Sequence, residues 1–274
     1  MNQIRIKWIF VIVFLAINLF FGNMLYQSQF RANSISEETV VHTVSVLQKK
    51  GVTVPGSLIP RSRMKMKEGS VRNITESSSA FFASLPNSGW DRQEDGAYRR
   101  GQERLWFADG RVHYEGQTPI EKGLSGERLD QAVQKQLKRL SFPTDGLKLK
   151  TIEQKENGAV LAYVQSYDGY EIFGTGLTVL VEDSAVRQGD GILLEPVNTK
   201  ARRMATVFAT EALLQFAESG DRPQSVQVTD LKNGYYISEI SEPAEHKVMQ
   251  MLPVFQITAA SGEQYYYDAR SSGE

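Results

Sequence analysis

Trp8 to Tyr26 form one nearly unbroken apolar run, interrupted only by Asn18, Gly22 and Asn23. At a helical rise of ~1.5 Å per residue the run reaches roughly 28 Å, close to the hydrocarbon thickness of a bilayer. A signal peptide has a shorter apolar stretch, about 7–15 residues, followed by small residues at a cleavage site. Here Met24, Leu25, Tyr26 and Gln27 follow instead, and no Cys is present for lipid attachment. The pattern predicts an uncleaved transmembrane helix over 8–26. Arg5 and Lys7 precede it, whereas Arg31, Glu37 and Glu38 follow it. Positive flanking charge stays cytoplasmic. The expected layout is a single-pass protein of the cell membrane, with residues 1–7 as a cytoplasmic tail and the bulk of the chain outside the cytoplasm.

The external part, about 240 residues, is large enough to bury a core without disulfides. The net charge is −1, with acids and bases mixed. A nucleic-acid partner would need a basic face, so none is expected. The bases between Arg61 and Lys67, and the pair Arg202 and Arg203, read as solvated faces.

Beyond the span, Ser34 to Lys50 reads as an amphipathic helix. Ser34 with Glu37 suggests a capping box, Val40, Val44 and Leu47 form one stripe, and Gly51 supplies a left-handed cap. A short helix is expected at Ser78–Leu85. Arg104–Ala108, Asp109-Gly110 and Arg111–Glu115 form a strong hairpin signal. A two-residue loop fixes its register: Phe107 opposite Val112 and Leu105 opposite Tyr114 on an apolar face, Arg104 opposite Glu115 and Trp106 opposite His113 on the other. A third helix, Ser125–Leu140, carries Leu129, Val133, Leu137 and Leu140. Strands follow at Leu147–Lys155, Ala159–Ser166, Tyr170–Glu182 and Ala185–Leu194, with turns at Asn157-Gly158, Asp168-Gly169 and Asp183-Ser184. A helix at Ala205–Glu218 leads to strands at Ser225–Leu231, Tyr235–Ile240, Met251–Ala259 and Gln264–Ala269.

The two Asn-Gly pairs, at 157 and 233, lie 76 positions apart. The same offset lays Leu137 on Leu213 and Val179 on Phe255, which suggests a duplicated subdomain. Strand runs broken by segregated helices give an α+β class with antiparallel sheets. The expected domains are a membrane-proximal α+β subdomain over 27–123 and a C-terminal α+β subdomain over 124–274.

Catalytic chemistry finds little support. His42, His113 and His246 have no metal-like neighbours, since a helical pair of ligands needs i, i+4 spacing. Cys–His catalysis is impossible without Cys, and no Gly-x-Ser-x-Gly elbow occurs. Glu153, Glu156, Asp168 and Asp183 read as solvated acids at turns and on strand faces. Asn73-Ile74-Thr75 is a formal glycosylation sequon only. No enzyme activity, cofactor or metal is expected.

The polar exception lies within the span. Asn18 sits at mid-membrane depth, and Gly22 follows one turn later on the face shared by Val11, Leu15 and Leu25. An amide in hydrocarbon favours a partner, and a Gly lets a second backbone approach. These five residues are the expected partner-binding face.

Several stretches carry a family resemblance. They are the basic stub before Trp8-Ile9-Phe10-Val11-Ile12-Val13-Phe14-Leu15, the helix ending Lys50-Gly51-Val52, and Tyr167-Asp168-Gly169-Tyr170-Glu171-Ile172-Phe173. Leu252-Pro253-Val254-Phe255-Gln256-Ile257 and Tyr265-Tyr266-Tyr267-Asp268-Ala269 complete the set. The chain resembles the YycI (WalI) family, accessory proteins of the WalK/WalR two-component system of low-GC Gram-positive bacteria. The resemblance implies partnership in the membrane with a WalK-like sensor histidine kinase and a YycH-like protein, and modulation of the kinase through transmembrane helices. It supplies no catalytic residues. The strand motifs are also similar to PepSY-like modules, so the alternative is an extracytoplasmic ligand- or peptide-binding module without kinase contact.

Overall fold

The computed structural model describes residues 8, 11–24, 33–75, 79–198, 203–237 and 248–270. The helices are α1 (11–24), α2 (Glu37–Lys49), α3 (Ala80–Ser84), α4 (Gly126–Arg139) and α5 (Ala209–Glu218). The first strands are β1 (Val52–Thr53), β2 (Lys65–Lys67), β3 (Gly69–Asn73), β4 (Asp91–Arg92), β5 (Tyr98–Arg100), β6 (Glu103–Ala108) and β7 (Arg111–Pro119). After α4 come β8 (Leu147–Lys155), β9 (Gly158–Tyr167), β10 (Tyr170–Glu182), β11 (Ala185–Ile192), β12 (Leu194–Asn198) and β13 (Arg203–Ala205). Beyond α5 are β14 (Val226–Tyr236), β15 (Met249–Ala259) and β16 (Gln264–Asp268). The class is α+β, rich in sheet. Among the described residues no helix is long and apolar enough to cross a membrane. Of the expected span 8–26, positions 8 and 11–24 are described, and all are helical and exposed.

The chain forms two compact units. The smaller joins 1–64, 206–231 and 257–265, and the larger joins 65–205, 232–256 and 266–274.

In the smaller unit α2 packs with α5. Ser36, not Ser34, caps α2: its Oγ accepts from Thr39 N at 3.1 Å. Ser34 instead bridges to Ser62, which removes it from the helix end. Gly51 does close the helix with φ +80°, where a Cβ would meet Gln224 O at 2.2 Å. Arg222 then ties the two helix ends together. Its Nη2 donates to Lys50 O at 2.8 Å and to Ala217 O at 2.7 Å. Helix α5 starts at Ala209 rather than Ala205, because Arg203–Ala205 are drawn into strand pairing with Lys65–Lys67 in the larger unit.

The larger unit holds the main core. Strands run in the order β8-β9-β10-β11-β7-β6-β5-β4, antiparallel throughout. The hairpin β6–β7 has the register read from its sequence, with Asp109 at φ 50° and Gly110 at φ 69°. Leu105, Val112 and Tyr114 are buried on its inner face. Helix α4 contributes Leu129, Val133, Leu137 and the cap residue Leu140 to the same core. Each such burial stabilises by about 1.5–3 kcal/mol. Strand β8 has one hydrogen-bonded neighbour, β9. It carries Lys148, Lys150 and Lys155 and a register shift between Leu149 and Thr151, features that discourage further pairing at a sheet edge.

One turn differs from expectation. At 157 the strands pair Lys155 with Gly158, so the loop is Glu156-Asn157 and Gly158 already belongs to β9. A Cβ there would lie 1.8 Å from Val181 O, so close approach is what this glycine serves. Asn233-Gly234, left between the expected strands Ser225–Leu231 and Tyr235–Ile240, does not separate them. It lies inside β14, where Gly234 pairs in parallel with Glu171 and leaves space for the Phe173 ring. The two Asn-Gly pairs thus occupy different structures.

Candidate functional site

Val11, Leu15, Asn18 and Gly22 follow one another at spacings of four, three and four on α1, which places them on one helix face. Val11 is 53% and Leu15 61% exposed. No atom lies within 4 Å of a Cβ placed at Gly22. The Asn18 side chain is not idle: Nδ2 donates to Phe14 O at 2.8 Å. That leaves a second amide proton and the carbonyl oxygen for a neighbour. Leu25 lies outside the described residues. The local bond to Phe14 depends on a rotamer that spacing does not reveal.

The titratable candidates scatter. His42 is exposed on α2, and His246 lies outside the described residues. His113 stacks on Trp106 with centroids 5.2 Å apart, and its Nδ1 sits 2.7 Å from Asp190 Oδ2. Arg111 holds the other oxygen of Asp190. Glu153 pairs with Lys155, and Asp183 with Arg187 at 3.0 Å. Asp168 accepts from Arg203 Nη2 at 2.8 Å and lies 3.5 Å from Lys67 Nζ. These acids are held separately by different bases. Among the described residues no three His, Asp or Glu side chains are grouped to hold a metal. Asn73 of the sequon is buried, donating to Gly110 O at 2.8 Å and accepting from Thr75 N at 3.0 Å. Its side chain is part of the scaffold.

One polar network was missed by the sequence reading. Arg100 Nε donates to Glu103 Oε2 at 2.8 Å, and Arg100 Nη1 reaches Ser88 O at 3.3 Å and Arg139 O at 3.2 Å. Its guanidinium lies 4.8 Å from the Trp90 ring centroid. Glu103 Oε1 accepts from Thr118 and from Tyr114 Oη. Burial, more than the neighbouring Glu103, pushes the Tyr114 phenol up to about 12. The Arg-to-Glu spacing of three was visible, but the convergence of β5, β6, β7 and the end of α4 was not. The arrangement is structural: Arg100 and Glu103 are each held by several neighbours.

Comparison with known proteins gives the chain its place. No curated protein matches it. Among solved structures, an uncharacterised protein from Eubacterium rectale is 13% identical, with a TM-score of 0.46 over 87% of this chain and 98% of that one. YycH from Bacillus subtilis is 13% identical, with a TM-score of 0.45 over 76% of this chain and 53% of that one. The chain thus spans about half of YycH. The YpeB C-terminal domain of Bacillus megaterium is 11% identical, with a TM-score of 0.31 over 87% of this chain and 95% of that one. The YycI protein family model matches residues 31–270, so the chain belongs to the YycI family.

Proposed function

We propose that this protein is a membrane-anchored accessory regulator of a WalK-like sensor histidine kinase, acting with a YycH-like partner. Its N-terminus lies in the cytoplasm and the chain beyond α1 outside. Membership of the YycI family supports the regulatory role. The observation that carries the mechanism is the apolar face of α1: it stands exposed, with Asn18 and Gly22 in line with Val11 and Leu15. Such a helix gains by packing against other helices in lipid, where small residues and interhelical amide bonds drive association. Contact with the kinase bundle then shifts the population of its signalling states by the difference in affinity for the two.

Kinase autophosphorylation in vesicles tests this reading with three additions: the full chain, the chain with its first 26 residues replaced by a generic span, and the α1 segment alone. The full chain and the segment are expected to change the rate, and the swapped chain to leave it at the value without addition. Equal rates across all three and the empty vesicle end the proposal.

A finer prediction concerns Asn18→Leu. The interhelical bond at stake is worth roughly 0.6–2 kcal/mol. Its bond to Phe14 is intrahelical and survives without a partner, so the loss should fall on association rather than on the helix. Cysteine crosslinking to the kinase in membranes is expected to drop. An undiminished yield would refute the role of Asn18.

A further inference from the structure

Many bases of the larger unit that the structure describes meet an acid. Lys67 and Arg203 share Asp168, Arg72 faces Glu195, and Arg111 meets Asp190. On helix α4 none does. Arg128, Lys135, Lys138 and Arg139 are exposed on it, and none has an acidic partner among the described residues. The acids of the helix are engaged elsewhere. Asp130 accepts from Tyr163 Oη at 2.8 Å and from Gln134 Nε2 at 3.1 Å, and Glu127 accepts from Gln131 at 3.3 Å. Arg128 and Lys135 are seven residues apart, so they share a face.

Beside that face lies an open groove of about 470 Å³. Its α4 wall is Arg128, Ala132 and Lys135, and its other wall is Ile120 and Leu124 from the segment entering the helix. Glu121 is the one acid of the lining. Gln136 also lines it. Its Nε2 donates to Pro119 O at 3.1 Å, while its Oε1 has no donor.

We propose that this groove binds an acidic, extended peptide segment of a partner protein. Unpaired cations call for carboxylates, by charge complementarity. The apolar wall calls for aliphatic side chains, which a plain polyanion lacks. In an extended segment successive side chains point to opposite sides, so one set reaches Arg128 and Lys135 while the other packs on Ile120 and Leu124. The site belongs to the larger unit and stands independently of any contact made by α1.

Fluorescence anisotropy on the full chain in nanodiscs provides the test. The probe is a labelled decapeptide alternating glutamate and leucine. Binding is expected, and Arg128→Glu with Lys135→Glu should weaken it at least about tenfold, since like charges then face each other. Ala132→Glu, which sets an acid in the groove, should do the same, with melting curves unchanged for both variants. Replacing the leucines of the probe by serine should also cost about tenfold. No binding by the unmodified chain, or full binding by both variants, overturns the proposal. So does equal binding of the serine probe and of inorganic polyphosphate, which would reveal only a cationic field.

Discussion

Replacing Arg100 with alanine is expected to destabilise the larger unit by about 3–5 kcal/mol, the usual result of breaking a buried ion pair from one side. In a unit of this size that lowers the melting midpoint by roughly 6–20 °C. The side chains of Arg100 and Glu103 are 21% and 13% exposed, so the pair is largely out of water. Removing the guanidinium strands the Glu103 carboxylate among Thr118 and Tyr114. It also strips a donor from Arg139 O, one of the last carbonyls of α4, which its own helix cannot satisfy. Two companion variants separate these contributions. Arg100→Lys keeps the charge but loses the fork that spans Glu103, Ser88 and Arg139, so it should fall between wild type and alanine. Arg100→Met with Glu103→Leu removes both charges, and should recover most of the loss if stranded charge dominates. Thermal melts of the three variants decide it. An alanine variant within about 1 kcal/mol of wild type would mean that the network contributes as little as an exposed ion pair.

What the sequence disclosed, and what it withheld, divides along the reach of the interactions. The β6–β7 hairpin was legible down to its register, because Asp109-Gly110 satisfies two positive φ angles locally and alternation settles which side faces in. The α4 stripe was legible for the same reason, its period being internal to the helix. Asn233-Gly234 carries the same local signal and misleads, because parallel pairing with Glu171 and the Phe173 ring overrule it from some 60 positions away. The start of α5 fails likewise: Ala205 is claimed by Lys65 across a sheet the sequence gives no hint of. On α1, the alignment of Val11, Leu15, Asn18 and Gly22 follows from helical spacing alone. The free bases of α4 could not be read that way. Their positions were plain, but a base is unpaired only once every acid near it is accounted for, and Asp130 is taken by Tyr163 on β9.

Gly176→Ala is expected to cost at least about 3 kcal/mol, from overpacking combined with an unfavourable backbone angle. Its φ is +147°, a conformation that L residues rarely adopt. A Cβ would stand 2.0 Å from Tyr163 O and 3.0 Å from Tyr163 C, both backbone atoms of β9. No rotamer change relieves that clash; either β9 or β10 has to move. The position matters because Gly176 pairs with Val164 on one side and Ile192 on the other. Just before it the β9–β10 register shifts, while Glu171 and Ile172 pair with β14. Moving either strand therefore strains both flanking ladders. Gly169 is the control. Its φ of +91° is also positive, yet nothing lies within 4 Å of its Cβ position. Gly169→Ala should cost only the conformational part, about 1–2 kcal/mol. Chemical denaturation gives both values, and hydrogen exchange at Val164 should accelerate in the Gly176 variant alone. Equal losses in the two variants would show that backbone angle, and not the close approach of β9, is what requires glycine at this point in the sheet.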